Sequence, residues 1–365
     1  MANNIAVTAL ATAMLCTGCV STPATESSQP ATPTSHAAEQ AIAQPAAIVS
    51  GPPPVWIDSE SKKYPRVDYI TSRTQAETAE QASQQALANV SRYFLIDTSK
   101  YEMPVEQAIV GAGYEINTTN LPDSALTVAS PEVKRVLQKL KIVDTWFDSA
   151  NKRYHALAAL PRNAGRGYLD KQIKALDAKT QEYMQAARSN PDPFIQAGKI
   201  AMAWRCQQLR GEMQKAMRVA DLTGRGIAAK YKLSLLRNDA INLITTLQIQ
   251  PSGLAGEMNA AEVTNMIRGG LNTAGLHPTD INPDYLMSGT LKASIIGERN
   301  GWAVGRGELK LVLTDKVTGE VRGTKTWQIE VPGLDENAAI RRVYEKTVYK
   351  LKKDMRDILI EMAMQ

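Results

Sequence analysis

Two thiols three residues apart open the chemical inventory. Cys16 and Cys19 form a Cys-x-x-Cys pair, a spacing that serves disulfide exchange or metal binding when the thiols are ionised. Ionisation needs a nearby cation, and no Lys or Arg precedes Cys19; an apolar run from Ile5 to Leu15 does. Redox and metal roles are therefore not expected for this pair. Cys206, in Ala203-Trp204-Arg205-Cys206-Gln207, is the third and last cysteine. It has no partner for an internal disulfide once the first two are assigned to the leader, and it is expected to be buried. His36, His155 and His277 fall in a polar segment, a strand and a turn. The chain contains no His-Glu-x-x-His and no Gly-x-Ser-x-Gly, so neither a zinc helix nor a nucleophile elbow is marked. Leu222-Thr223-Gly224-Arg225-Gly226 lacks the Lys and Ser/Thr of a phosphate loop. Acidic residues are scattered among basic ones. Carboxylates can still meet in three dimensions, but no spacing points to acid–base work. No enzyme activity, cofactor or metal is expected.

The apolar run of 5–15 is too short to span a bilayer and has the length of a signal-peptide core. Small residues then precede Cys19. The arrangement resembles the lipobox of bacterial lipoproteins, with Cys16 where a leucine is usual. The resemblance implies a signal peptide over 1–18, cleavage after Gly18 and lipid, palmitate included, on Cys19. Plain secretion is the alternative. More than one acyl chain is needed for a stable hold. Val20, in place of Asp, implies sorting to the outer membrane, with the body in the periplasm.

Residues 19–54 are rich in Ser, Thr, Pro, Ala and Gln and end in Gly51-Pro52-Pro53-Pro54. Such a stretch buries too little surface to offset its ordering entropy, and reads as a disordered tether. About 310 residues remain, above the usual size of one domain. The 365-residue chain is 44% hydrophobic and 22% charged, with a formal charge of +5. These are ordinary values for a globular fold. The mild positive balance gives no reason to expect a nucleic-acid partner.

The elements expected to follow define a fold class. It is α+β, with two small domains, each a mostly antiparallel sheet packed with helices, joined by a helical hairpin. The first domain covers 55–162. Tyr64 to Ile70 alternates as a strand. Thr74 to Val90 reads as a helix, with Thr74 and Glu77 as a capping box. Ala79, Ala82, Ala86 and Val90 share one face of it. Tyr93 to Ile96 leads toward a strand, and Ser130-Pro131 starts another helix. A hairpin then joins Ile142–Phe147 to Arg153–Ala158. The proline-rich entry, Trp56, Tyr64-Pro65, Tyr69, the Ala-rich helix and the strands holding Trp146 and His155 resemble the outer-membrane lipoprotein family typified by the Helicobacter 20-kilodalton lipoprotein. That family has a compact α/β domain and includes flagellar basal-body lipoproteins. The chain departs from it in Ile70-Thr71-Ser72-Arg73, where a Gly-rich strand end is usual, and in a longer segment over 111–127.

The helical part spans 163–240, with helices over Asp170–Arg188 and Phe194–Val219 broken at Asn190-Pro191-Asp192-Pro193. The second domain, 241–365, reads as a strand at Leu243–Ile249 and a helix at Asn259–Asn272. Strands at Asp284–Ala293, Gly307–Leu313 and Val321–Val331 follow, then a helix at Glu336–Met362. A sheet with both helices on one face buries their apolar stripes. Asp284 to Gly289 and the hairpin through Asp315 to Glu320 resemble segments of curli-secretion and penicillin-binding-protein-activator lipoproteins. Those assemble pores or bind envelope partners.

Two functions stay open. One is a structural or assembly role in an envelope machine, flagellar among the options, with envelope protein partners or a homo-oligomer and membrane lipid at the acylated N-terminus. The other is a periplasmic module holding a peptide, lipid or glycan, or acting as a chaperone. Aromatics often anchor interfaces. Trp56, Trp146, Trp204, Trp302 and Trp327 are the candidates, and each is also suited to the core. Trp302, in a loop after Gly301, is the candidate for an exposed contact.

Overall fold

A computed structural model describes residues 48–94, 135–254 and 260–365. Cys16, Cys19, His36, the helix start at Ser130-Pro131 and the segment 111–127 lie outside the described residues. The architecture is mixed α+β, two sheet-plus-helix regions linked by helices.

The first sheet has the order β1-β3-β4-β2, with β1 Ile48–Ser50, β2 Tyr69–Ala76, β3 Lys141–Asp148 and β4 Arg153–Pro161. Ile48–Ser50, inside the segment read as tether, pairs in parallel with β3. The β3–β4 hairpin forms where expected. Its turn is held by Asp148, whose carboxylate accepts from the Ala150 and Asn151 amides at 3.0 and 3.1 Å. The strand expected at Tyr64–Ile70 instead begins at Tyr69, because the Asp68 and Tyr69 amides turn back onto the Pro65 carbonyl. The capping box at Thr74 and Glu77 is also corrected. Thr74 lies in β2 opposite Ala156, and Thr78 caps α1, Ala79–Ser91, by accepting from the Gln81 amide. Ala82, Ala86 and Val90 are buried against the sheet, and their small size permits close approach. On the opposite face, Trp56, Trp146 and Leu157 form a separate cluster. Trp56 Nε1 donates to Asp144 at 2.7 Å, which pins the proline-rich entry to β3.

Helix α2 runs Arg162–Ser189, directly out of β4 and eight residues earlier than the expected Asp170. The early turn contains Gly165, where a Cβ would stand 2.7 Å from the Phe94 ring. Helix α3, Pro193–Ala220, starts at the break read from the prolines, with Asp192 as its cap. It packs against α2 and against the helices Leu233–Thr245 and Glu336–Met364, so four successive residues, Ile200 to Ala203, are all buried. The segment Leu243–Ile249, expected to be a strand, divides between α4, Leu233–Thr245, and β5, Ile249–Gly253. Leu236, Ala240 and Ile244 recur every four residues and face the core, and that period wins over the local β-branched run.

The second sheet has the order β5-β6-β7-β8, with β6 Tyr285–Arg299, β7 Trp302–Asp315 and β8 Val321–Gly333. Its single parallel pair is β5–β6. Helices α5, Ala260–Thr273, and α6, Glu336–Met364, cover one face, as the apolar stripes require. β7 alternates strictly: Leu309, Leu311 and Leu313 are buried while Glu308 and Lys310 are exposed. Gly307 admits α6, since a Cβ there would meet Val343 Cγ1 at 2.4 Å. One cluster of buried residues runs from Ile70 in the first sheet through α2 and α3 to Met364.

Asp192 ties the helical part to the second sheet. Its carboxylate accepts from the Phe194 amide at 2.8 Å and from the Tyr285 hydroxyl, and lies 3.5 Å from Arg322. Arg322 also pairs with Asp315 at 2.8 Å. Burial, then the Asp192 contact, pushes the Tyr285 hydroxyl well above its ordinary range. The Asp315 carboxyl is lowered to about 2, first by the Thr318 amide and then by the Arg322 side chain. A depressed carboxylate stabilises the fold above its unfolded value and loses that contribution as pH falls toward its folded one. Stability is therefore expected to decline between about pH 4 and pH 2. Asp315→Asn should flatten that decline in urea unfolding midpoints measured against pH. An unchanged acid slope would contradict the assignment.

Candidate functional site

The five tryptophans separate into three settings. Trp56 and Trp146 are buried at the first sheet. Trp302 is 40% exposed, but it stands on a strand and not in a loop. It opens β7 opposite Arg299, across Asn300 and Gly301 with φ of 55° and 76°. Both values are positive, as a two-residue type I′ turn requires, and Asn-Gly is its strongest sequence signal. Beside Trp302 lies a shallow hollow of about 470 Å³ lined by Arg299, Val304, Val331, Pro332 and Arg342.

Trp204 and Trp327 are half-buried, and tertiary structure alone brings them to one cleft. It has a volume of about 430 Å³, with Trp204, Arg205 and Arg237 on one side and Lys350, Asp354, Asp357 and Glu361 of α6 on the other. Lys325 and Trp327 of β8 complete it. Arg205 and Arg237 lie over the Trp204 ring at 4.8 and 5.8 Å from its centroid. Lys350 and Lys325 lie over the Trp327 ring at 5.5 and 6.0 Å. Such contacts hold ring and cation in defined positions. Two of the acids are engaged, Glu361 by Lys325 and Asp354 by Lys350 at 3.1 Å. Trp204 comes from the half-exposed flank of α3, which the period of that helix marks only weakly. Trp327 comes from the helix-facing side of β8. Eleven residues from four elements line the cleft, so no local motif announces it.

The cysteine, the two histidines and the glycine loop singled out in the sequence stand apart from this cleft. Cys206 is fully buried, and burial pushes its thiol up to about 12. It is closed to solvent chemistry. His155 sits on β4 with its ring 5.2 Å from that of Trp146, and His277 is exposed in the turn after α5. The loop 222–226 is bound by Asp221, which accepts from the Gly226 amide at 3.1 Å; Gly224 and Gly226 supply positive φ there. Among the described residues, no cluster of three or more His, Cys, Asp or Glu could hold a metal ion. Among the same residues, no helix is long and apolar enough to cross a membrane.

Comparison with known proteins gives a distant likeness to secreted and lipoprotein-like bacterial chains. No family model matches, and no curated protein matches. A secreted protein of Helicobacter pylori aligns over 78% of this chain and 97% of its own, at 12% identity and a TM-score of 0.33. A protein of Xanthomonas campestris, from a family of unassigned function, aligns over 32% of this chain and 85% of its own, at 14% identity and a TM-score of 0.23. A Caulobacter crescentus protein with a provisional lipoprotein description aligns over 32% and 87%, at 12% identity and a TM-score of 0.23. At these scores the likeness assigns no family.

Proposed function

We propose that this chain is an outer-membrane lipoprotein, held through lipid on Cys19, whose periplasmic body works by binding a protein of the cell envelope. The observation that carries the binding role is the Trp204–Trp327 cleft. Large aromatic faces with ordered cations beside them are the usual anchors of protein contacts. Among the described residues, the three groups whose titration is most strongly displaced, Cys206, Tyr285 and Asp315, all stand outside this cleft. Each is held by burial or by a structural contact, which favours a structural or interaction role. The alternating polar face of the second sheet is less suited to binding. Arg306 pairs with Glu330 at 2.6 Å and Gln328 with Glu308 at 2.7 Å across neighbouring strands, so its charges satisfy one another.

Mild detergent extraction of native membranes tests both parts. Wild-type chain should elute with a stoichiometric partner. Trp204→Ala combined with Trp327→Ala should elute alone with its urea midpoint little changed. Cys19→Ser should leave the membrane fraction. A wild-type chain that elutes as a bare monomer would contradict the binding role, and a Cys19→Ser chain still in the membrane would contradict the anchor.

A further inference from the structure

Among the described residues, β8 ends the second sheet and no strand pairs with its far side. The direction of its backbone groups follows from two side-chain contacts. The Thr324 amide and carbonyl meet the Gln365 side chain at 3.0 and 3.1 Å, and the Pro332 carbonyl accepts from Arg342 at 2.7 Å. Register with β7 is unbroken from Gly323 to Gly333. Thr326, Gln328 and Glu330 therefore point their backbone groups the same way as Thr324 and Pro332, away from β7. None of the three has a further backbone partner among the described residues. Among the described residues, the edge is closed at both ends and open between them, over a length of about 13 Å, which is room for one short strand.

We propose that this edge receives an extended acidic peptide, with one large apolar side chain entering the Trp204–Trp327 cleft. This rests on the binding role assigned above and specifies its ligand. The cleft and the edge share β8, since Lys325 and Trp327 line the one and flank the other. A strand added beside Trp327 turns alternate side chains toward α6. The α6 flank along this edge is charge-segregated. Arg342 and Lys350 reach β8 at Pro332 and Trp327, and Lys346 stands one turn from each. Asp354, Asp357 and Glu361 continue the row toward Thr324, where Lys350 and Lys325 neutralise two of them. The open residues lie beside the basic half, which selects an acidic residue two positions from the apolar one. A second copy of this chain would bring its own α6 to the edge. The cleft of about 430 Å³ takes side chains, not a helix of about 10 Å diameter.

The test uses the full lipidated chain in detergent and a seven-residue fluorescent peptide. The peptide alternates threonine with phenylalanine, aspartate and aspartate in turn; its control carries lysine for aspartate. Anisotropy should show saturable binding of the acidic peptide, about tenfold or more weaker for the control. Amide exchange at Thr326, Gln328 and Glu330 should slow on binding, while Trp327 and Ile329, already in the ladder, should not change. Gln328→Pro removes an outward N–H and leaves the ladder donors in place, so it should weaken binding about tenfold or more. If that variant does not fold, the wild-type exchange pattern decides alone. Three outcomes overturn the proposal: no binding up to about 1 mM, binding by a folded Gln328→Pro chain equal to wild type, or dimerisation of the peptide-free chain that Gln328→Pro abolishes. A partner captured at Trp204 without edge protection would leave the binding role standing and remove only the edge.

Discussion

Asp177→Ala is expected to cost about 3 kcal/mol of unfolding free energy, because it strands a buried cation. Arg210 of α3 is 3% exposed. Its Nε donates to Asp177 at 2.8 Å, and its Nη2 donates to both the Ile227 and Ala228 carbonyls at 3.1 and 2.9 Å. Gln207 donates to the same carboxylate at 2.9 Å and to Thr180 at 2.9 Å. Removing the carboxylate leaves a charge in the α2–α3 interface with carbonyl dipoles alone. Asp177 is 26% exposed, so water reaches the vacated site and keeps the loss at the lower end of the range for buried pairs. Asp177→Leu with Arg210→Met should recover most of it, since a neutral pair needs no desolvation of charge. Urea midpoints at constant slope measure both. A loss below about 1 kcal/mol for Asp177→Ala would mean that the pair contributes no more than a surface ion pair.

Two glycines of α3 are expected to respond with opposite signs. A Cβ at Gly198 would stand 1.8 Å from the Ala363 carbonyl oxygen, which is backbone and cannot turn aside. A Cβ at Gly211 meets nothing within 4 Å. Glycine inside a helix costs about 1 kcal/mol relative to alanine. Gly211→Ala should therefore gain about 0.5–1 kcal/mol. Gly198→Ala gains the same backbone term but forces α3 and the end of α6 apart. Overpacking of this kind costs about 1–3 kcal/mol, and Gly198→Val should reach the upper value. Thermal unfolding of the three variants reads the contrast. Equal effects at the two positions would place α6 farther from α3 than the structure does.

Periodicity carried most of the architecture. The alternation of β7, the Pro191–Pro193 break and the expected α6 stripe of Ile340, Val343, Thr347, Leu351, Met355, Ile358 and Met362 appear in the structure, except that Ala339 takes the buried place of Ile340. The misreadings share a cause, the competition between local signals of similar strength. Thr74 and Thr78 both precede the Ala-rich helix, and only strand pairing with Ala156 decides which one caps it. At Leu243–Ile249 a short apolar run fits a strand or the end of a helix equally well. The Asn300-Gly301 dipeptide marks a tight hairpin, but the clear alternation ends at Ala293 and resumes only at Gly307, so Trp302 falls between the expected strands although β6 and β7 run on to meet it. The cleft was not legible. Trp204 and Trp327 are 123 positions apart in the chain, and only the packing of α3 and α6 on the second sheet sets them side by side.

Photocrosslinking in living cells reads whether the cleft meets an envelope protein. A photoreactive phenylalanine analogue would replace Arg237, at the rim of the cleft, and in a second strain Arg306, on the self-paired polar face. One discrete adduct, of constant mass, is expected from position 237 and none from 306. Adducts that are equal at both positions, or absent at 237 while the chain remains folded and anchored, would contradict the binding role.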